Sequence, residues 1–217
     1  MKKEDILKAI KQLKENSEKR NFKQTIDLII TLKDLNLKKP EEQVDFFQNL
    51  HFPYGKKIKI CALVGPELLS QAEENCDIAV SIDDFDKYVK DKKAIKKLAK
   101  EYDYFIAQAN IMPKIAGVFG KVLGPRGKMP NPKSGCIVPP NANLKVLSER
   151  LKRLVRVSAK TMPMAQCTVG KEDSKEEEIA DNVLTIYDAL IHHLPKGKNN
   201  VKNILLKLTM SRPVKLM

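Results

Sequence analysis

Short apolar runs alternate with helical stretches through the middle of the chain, and this order restricts the possible folds most. The apolar runs are residues 58–64, 78–82 and 103–109, and the helical stretches are residues 66–75, 84–100 and 111–122. Alternating strands and helices predict a parallel sheet with right-handed crossovers, because parallel strands need long connections. A further helix at 143–155 closes a small Rossmann-like domain in this interpretation.

The N-terminal end carries two elements that cannot form a core by themselves. Residues 4–19 have apolar side chains at helical spacing, which predicts an amphipathic helix. Residues 23–34 alternate with a period of two, which predicts a strand with one buried face. Residues 36–56, which contain three Pro and Gly positions, are predicted to be a connection.

The C-terminal end supplies the missing elements. A period-two pattern on both sides of Pro163 predicts a hairpin. Ser174 stands three residues before Glu177, a spacing that predicts a capping box at the start of a long helix. A final strand follows at 201–210. Packing both ends together is the simplest way to bury the N-terminal helix and strand.

The predicted fold class is therefore mixed α/β. A split α+β domain comprises residues 1–57 and 158–217, and an inserted Rossmann-like parallel α/β domain comprises residues 58–157. Two connections, near residues 57 and 157, are typical of a hinge.

The charge distribution predicts a polyanionic partner. Lys and Arg number 40 against 27 Asp and Glu, which gives a formal net charge of +13. Residues 61–113 carry seven basic against ten acidic side chains, whereas residues 114–157 carry ten basic residues against Glu149 alone. Concentrated positive charge attracts nucleic acid more strongly than the same charge spread evenly.

Metal, cofactor and membrane functions have little support in the sequence. The four cysteines form no C-x-x-C pair and lack a histidine at zinc-ligand spacing, so we expect reduced core thiols and no metal site. No apolar window has the length of a transmembrane helix, and the first residues do not resemble a signal peptide. The prediction is a soluble cytoplasmic protein without a cofactor.

The enzyme motifs that the sequence partly matches are incomplete. The first predicted βα turn holds Gly65 alone where dinucleotide-binding proteins have a glycine-rich pattern. A Walker A pattern fails at Val122 and at Met129. His192 and His193 are adjacent on a helix and cannot both face one metal. We therefore expect no catalytic residues.

The segment after the helix at 111–122 is rich in glycine, proline and basic residues. Its composition predicts an extended loop whose Arg126, Lys128 and Lys133 point outward to follow phosphates. Residues 124–127 also match the G-x-x-G loop of KH modules, although the prolines that follow argue against a second KH helix.

Several motifs, in one order along the chain, resemble the large-subunit ribosomal protein L-one family of archaeal or eukaryotic type. They are Lys19-Arg20-Asn21-Phe22, Gly-Pro-Arg-Gly-Lys-Met-Pro from Gly124, Val169-Gly170-Lys171-Glu172-Asp173, and Leu208-Thr209-Met210-Ser211-Arg212-Pro213. Ser211 in place of Gly, together with the Val-Gly-Lys-Glu-Asp segment from Val169, resembles the archaeal or eukaryotic type rather than the bacterial type.

The resemblance implies a non-enzymatic two-domain protein on the mobile stalk of the large ribosomal subunit, beside the exit-site tRNA. It implies binding to large-subunit rRNA and, in some members, repression of translation through their own mRNA. A free monomer is expected. The RNA-binding residues implied for the split domain are Phe22, Asn203, Thr209, Met210 and Ser211. The alternative is a KH-like or other RNA-binding module without a ribosomal role.

Overall fold

The chain divides into two compact units in the computed structural model, which describes residues 2–18 and 20–216 apart from the side chain of Lys90. The split unit comprises Met1–Lys56 and Arg153–Met217, and the inserted unit comprises Lys57–Lys152. The inserted unit thus ends before residue 157, the predicted boundary, because residues 154–159 form a strand of the split unit.

Seven α-helices and ten strands are found among the described residues. The helices are α1 (Lys3–Glu15), α2 (Pro66–Asn75), α3 (Phe85–Lys90), α4 (Lys92–Glu101), α5 (Met112–Leu123), α6 (Leu144–Leu151) and α7 (Glu176–His193). The strands are β1 (Thr25–Leu32), β2 (Val44–Asn49), β3 (Ile60–Val64), β4 (Ile78–Ser81), β5 (Tyr104–Gln108), β6 (Ile137–Val138), β7 (Leu154–Ala159), β8 (Met164–Lys171), β9 (Val201–Leu208) and β10 (Val214–Lys215). The predicted mixed α/β class is confirmed.

The inserted unit contains the predicted parallel sheet. Its strands lie in the order β4-β3-β5-β6, and each neighbouring pair is parallel. All five residues of β3 are buried, as expected for a strand covered on both faces. The two-residue strand β6 was not predicted, since so short a segment shows no periodicity.

One predicted helix of the inserted unit is two helices. The stretch 84–100 divides into α3 and α4, because the Asp91 carboxylate accepts hydrogen bonds from Lys93 N at 2.8 Å and Ala94 N at 3.2 Å. This N-cap satisfies the first amide groups of α4 and starts a new helix there. The predicted helix 143–155 is also shorter, since it ends at Leu151 and residues from 154 onward form β7, which pairs with β2.

The two chain ends form a single antiparallel sheet with the order β10-β9-β1-β8. The side chains of β1 alternate between half-buried and buried positions, and Ile26, Leu28 and Ile30 point into the core. Helices α1 and α7 pack against one another and against strands of this sheet. Their buried side chains, which include Ile6, Ile10 and Ile186, cover the apolar face.

The predicted hairpin around Pro163 is not formed. Strand β7 pairs with β2 in a separate two-stranded sheet, with Val44 opposite Ala159, whereas β8 pairs with β1. The stretch 36–56, predicted to be a connection, therefore contains a strand. Strand pairing depends on residues distant in sequence, and a local pattern cannot select the partner.

The predicted capping box at the start of α7 is also wrong. The helix begins at Glu176, and its N-cap residue Lys175 provides no side-chain cap. The Ser174 hydroxyl instead accepts a hydrogen bond from Lys171 N at 3.3 Å, which stabilises the preceding turn. Three glutamates in the first turn still favour the helix through its dipole.

The contact between β2 and β7 includes a charged group whose titration is predictable. Asp45 accepts hydrogen bonds from Arg156 Nε at 2.8 Å and Nη2 at 3.1 Å, and Lys160 Nζ lies 2.7 Å from its Oδ2. The Arg156 hydrogen bonds, helped by Lys160, lower the pKa of Asp45 from 3.8 to about 2 against the opposing effect of burial.

We expect Asp45→Asn to reduce the free energy of unfolding at pH 7 by about 1–2 kcal/mol, since solvent screens part of the interaction. A carboxylate with a depressed pKa stabilises the fold fully above pH 3.8 and ceases to do so as pH falls through about 2. The difference between wild type and variant in urea unfolding should therefore shrink between these pH values. Asp188→Asn, at an exposed position, is the control, and a difference that stays constant with pH would contradict the assignment.

Candidate nucleic-acid interface

One face of the β10-β9-β1-β8 sheet points away from α1 and α7, and we call it the open face. The alternation of β1 and β9 places Thr25, Asp27, Ile29 and Thr31 on this face beside the corresponding residues of β9. These positions are half-buried, unlike the fully buried side chains between them. The face therefore combines a rigid backbone with accessible polar groups, as a binding surface requires.

The centre of the open face is close to neutral. Asp27 lies opposite Lys207 on β9 and Thr168 on β8. The Thr168 hydroxyl donates a 2.8 Å hydrogen bond to the Asp27 carboxylate. In the next row, Ile29 lies between Leu205 and Gln166. Such a surface offers a defined shape, hydroxyl groups and apolar patches for contact, and it produces only a weak electrostatic field.

Polar residues from the two chain ends meet where β1 begins and β9 ends. The strand-end cluster comprises Gln24, Thr25, Thr209, Met210 and Ser211. Thr209 Oγ1 accepts a hydrogen bond from Thr25 N at 3.1 Å and lies 3.0 Å from Thr25 Oγ1. Met210 N donates to Gln24 Oε1 at 3.0 Å. These bonds fix the segment after β9 against the start of β1.

The Ser211 hydroxyl closes the turn that follows β9. It accepts a hydrogen bond from Leu208 N at 3.0 Å and donates to Arg212 O at 3.1 Å. The backbone Ser211 N also donates to Leu208 O at 3.3 Å. The turn is thus held in one conformation, and Met210 at its tip is presented outward.

Two large apolar side chains are exposed near this end of the sheet. Met210 is 61% exposed, and Phe22, three residues before the first residue of β1, is 51% exposed. An exposed apolar residue is common when it stands alone, but two beside a fixed polar cluster are typical of a contact surface. Of the motif 19–22, Lys19 lies outside the described residues.

The structure brings together the predicted residues Thr209, Met210 and Ser211, while Asn203 lies elsewhere. Asn203 is opposite Thr31, and its backbone N donates to Thr31 Oγ1 at 3.0 Å. At roughly 3.4 Å per residue, the six positions to Thr209 span about 20 Å. Asn203 and the cluster therefore mark two ends of the open face. Sequence reasoning missed Gln24 and Thr25. The period-two pattern placed Thr25 on the polar side of its strand, but its position beside the end of β9 follows from the pairing of β1 with β9.

The basic loop of the inserted unit differs from its prediction. The chain after α5 continues as tight turns, with Gly127 N donating to Gly124 O at 2.9 Å and Lys128 N to Leu123 O at 3.1 Å. The loop is therefore compact rather than extended. Lys128 does not point outward, because its Nζ donates to Tyr102 O at 2.6 Å within the inserted unit. Arg126 and Lys133 are exposed.

A second basic surface lies beside Arg126. We call it the lysine face of α4, and its exposed residues are Lys92, Lys93, Lys96, Lys97 and Lys100. Arg126 Nη1 donates to Lys96 O at 3.4 Å, which places the guanidinium against this helix. The net charge of residues 61–113 did not reveal this surface, because acidic residues elsewhere in that range outnumber the lysines. The helical spacing of the lysines around buried Ile95 and Leu98 is the signal that identifies it.

The crevice where Rossmann-like folds hold a phosphate is occupied by a side chain. It lies at the carboxyl ends of β3 and β5, where neighbouring crossovers diverge. Gln108, which is buried, accepts a hydrogen bond from Gly65 N at 2.8 Å and donates to the Glu67 carboxylate at 2.9 Å. The Gly65 amide is thereby engaged, and Glu67 adds negative charge where a phosphate would sit.

The cysteine thiols are poor candidates for nucleophiles. Cys61, Cys136 and Cys167 are buried and unpaired. Burial raises the pKa of Cys61 strongly and that of Cys167 to about 12. Both thiols stay protonated at neutral pH, and the nucleophilic form is the thiolate. In the described part of the chain, no helix is long and apolar enough to cross a membrane.

The fold and these surfaces define a class of basic α/β proteins in which the chain ends share one unit and the middle forms another. A family model described as Ribosomal protein L1p/L10e family matches residues 13–212. The chain belongs to this family, and the resemblance noted from its motifs is confirmed.

Relatives of similar length are found in archaea. A protein of Methanothermococcus thermolithotrophicus named large ribosomal subunit protein uL1 is 41% identical over 216 residues, which is 100% of this chain and 99% of the relative. Proteins of the same name from Methanobrevibacter smithii and Methanocaldococcus jannaschii are each 38% identical, over 98% and 100% of this chain and 99% and 96% of their own lengths. These relatives agree with the archaeal or eukaryotic type that Ser211 and residues 169–173 indicated.

Proposed function

We propose that this protein is a constituent of the large ribosomal subunit and binds rRNA through the split unit. The observation that carries the proposal is the strand-end cluster, in which hydroxyls and exposed apolar side chains are fixed together on the rim of a near-neutral sheet face. Family membership and the names of the archaeal relatives support it. Association with the stalk is part of the proposal, and no catalysed reaction is needed.

The chemistry of the cluster fits folded RNA. An RNA helix presents a wide, shallow minor groove with ribose 2'-hydroxyls, and proteins read it mainly through shape and hydroxyl contacts. The Thr209 and Thr25 hydroxyls can exchange hydrogen bonds with 2'-hydroxyls, since each is both donor and acceptor. Met210 and Phe22 can cover the neighbouring sugars and exclude water, which strengthens those hydrogen bonds.

The inserted unit contributes phosphate contacts in this proposal. Arg126, Lys133 and the lysine face of α4 provide exposed cations that a sugar-phosphate backbone can approach without base recognition. The exit-site tRNA is the partner that we assign to them. An mRNA segment that folds like the rRNA site would compete for the split unit, which is how self-repression would operate. The free protein is proposed to be a monomer.

Replacement of a cluster hydroxyl tests the split-unit site. We expect Thr209→Val to weaken binding to large-subunit rRNA by about 1–3 kcal/mol, because a desolvated RNA hydroxyl is left without its partner. Filter binding measures the effect. The control is Thr185→Val on α7, whose hydroxyl donates to Asp181 O within the helix and should not contact RNA. Equal affinities for wild type and Thr209→Val would contradict the site.

Salt dependence tests the inserted unit. We expect the triple variant Lys92→Gln, Lys96→Gln, Lys100→Gln to reduce the slope of log affinity for tRNA against log salt, by roughly 0.7–0.9 for each phosphate that the variant no longer neutralises. The matched control neutralises Lys3, Lys8 and Lys11 on α1. If both triple variants changed the slope equally, net charge rather than the lysine face would explain binding.

Sedimentation separates this proposal from an RNA-binding module without a ribosomal role. A tagged protein expressed in an archaeal relative's cells should sediment with large subunits in a sucrose gradient after a high-salt wash. Binding to purified rRNA without sedimentation in that fraction would favour the KH-like alternative.

A further inference from the structure

A polar groove lies beside the strand-end cluster, on the side of α1. Its volume is about 760 Å³, and it is bounded by the C-terminal end of α1, by Arg20 and Gln24, and by residues 210–215. Pockets of roughly 300–1,000 Å³ are typical of sites for small organic ligands. Met210 and Ser211 belong both to the cluster and to the wall of this groove.

Gln24 supplies a hydrogen-bond donor without a protein acceptor. The residue is only 1% exposed, and its Oε1 accepts the hydrogen bond from Met210 N. The Nε2 atom of the same planar amide therefore points away from Met210 N. Gln24 N donates to Glu172 Oε2 at 3.4 Å, and Glu172 N donates to Gln24 O at 3.0 Å. Within residues 2–18 and 20–216, Gln24 Nε2 donates to no protein acceptor.

This amide nitrogen belongs to a residue that borders the groove. Every fully enclosed side-chain nitrogen or oxygen among the described residues has a hydrogen-bond partner, so Nε2 of Gln24 is not fully enclosed. Gln24 is also one of the residues that line the groove. A nearly buried donor without an acceptor is costly, and a ligand acceptor would remove that cost.

Several other lining residues match the parts of a nucleotide, and the Glu18 carboxylate, which also lines the groove, is paired with Arg20 Nη2 at 2.8 Å. The amides of Gln12 and Asn16 can pair with the polar edge of a base. The Met210 thioether offers an apolar, polarisable contact for the face of the base. Arg212 and Lys215 are exposed cations that can meet its phosphate.

We propose that this groove receives one unpaired nucleotide that is turned out of the RNA bound by the split unit. The inference rests on the proposed function. Gln24 Nε2 donates to an acceptor on the base, and Met210 packs on the base while its backbone stays bonded to Gln24. An RNA nucleotide is the chosen occupant because the groove is continuous with the strand-end cluster and combines donors, acceptors and cations. Structured RNA commonly offers such splayed bases in its loops and bulges.

The first experiment is a titration of the full ¹⁵N-labelled chain with each of the four ribonucleoside 5'-monophosphates, followed by NMR. We expect the Gln24 side-chain NH₂ resonances to shift and saturate with at least one nucleotide at concentrations of about 1–20 mM, the weak range for a single nucleotide. Inorganic phosphate is the control. Unmoved Gln24 resonances with all four nucleotides, or equal shifts with phosphate, would overturn the inference.

The second experiment uses Gln24→Glu, which keeps an oxygen for Met210 N and removes the amide donor. We expect its affinity for large-subunit rRNA to fall by about tenfold, while Gln71→Glu on α2, with the same charge change, leaves affinity unaltered. If Gln24→Glu does not fold, the titration of wild type decides alone. If wild type binds rRNA but its Gln24 resonances do not shift with any nucleotide, only the groove proposal is refuted. If wild type does not bind rRNA, the proposed function is refuted.

Discussion

The pairing of β1 with strands from the other end of the chain is the interaction on which the split unit depends. Strand β1 lies between β8 and β9, and each of these pairings runs over most of its length. Without them, α1 and β1 would have no partner for their apolar faces, since a single strand forms no sheet. The entropic cost of the long loop closure that they require grows only slowly with length, so a whole folded unit can be inserted between the ends.

The same pairing assembles the candidate site. Thr25 and Thr209 are 184 residues apart in sequence, yet their hydroxyl oxygens lie 3.0 Å apart because the register places Ile26 opposite Leu208. A slip of one residue would turn the open face inward and separate these hydroxyls. The stability of the fold and the geometry of the candidate site therefore depend on one register, and buried residues such as Leu28 contribute to both.

Features that depend on residues close together in sequence could be predicted, whereas features that depend on distant residues could not. The alternation of β1 and the apolar runs of β3 and β5 are local patterns, and their elements were predicted correctly. Strand β2 pairs with β7, which lies more than a hundred residues further along the chain, and no nearby sequence pattern indicates this pairing.

The candidate site shows the same division. Thr209, Met210 and Ser211 are neighbours in sequence and could be inferred together from one motif. The contribution of Gln24 could not be inferred from sequence. It depends on the hydrogen bond that Met210 N donates to Gln24 Oε1, and these two residues are far apart in the chain. Lys128 was misjudged for a related reason: a lysine in a glycine-rich loop favours solvent, unless a carbonyl such as Tyr102 O lies within its reach.

The distribution of charge differs between the two units. The basic excess of residues 114–157 lies largely in the inserted unit, where lysines and Arg126 offer long-range attraction that salt weakens. The open face of the split unit balances Lys207 against Asp27 and so gains little from attraction at a distance. In the proposed function, its specificity comes from contacts that form only when hydroxyls, apolar side chains and the RNA surface fit closely. A nearly buried donor such as Gln24 Nε2 is effective in that setting, because water cannot easily replace the acceptor that a well-placed base provides.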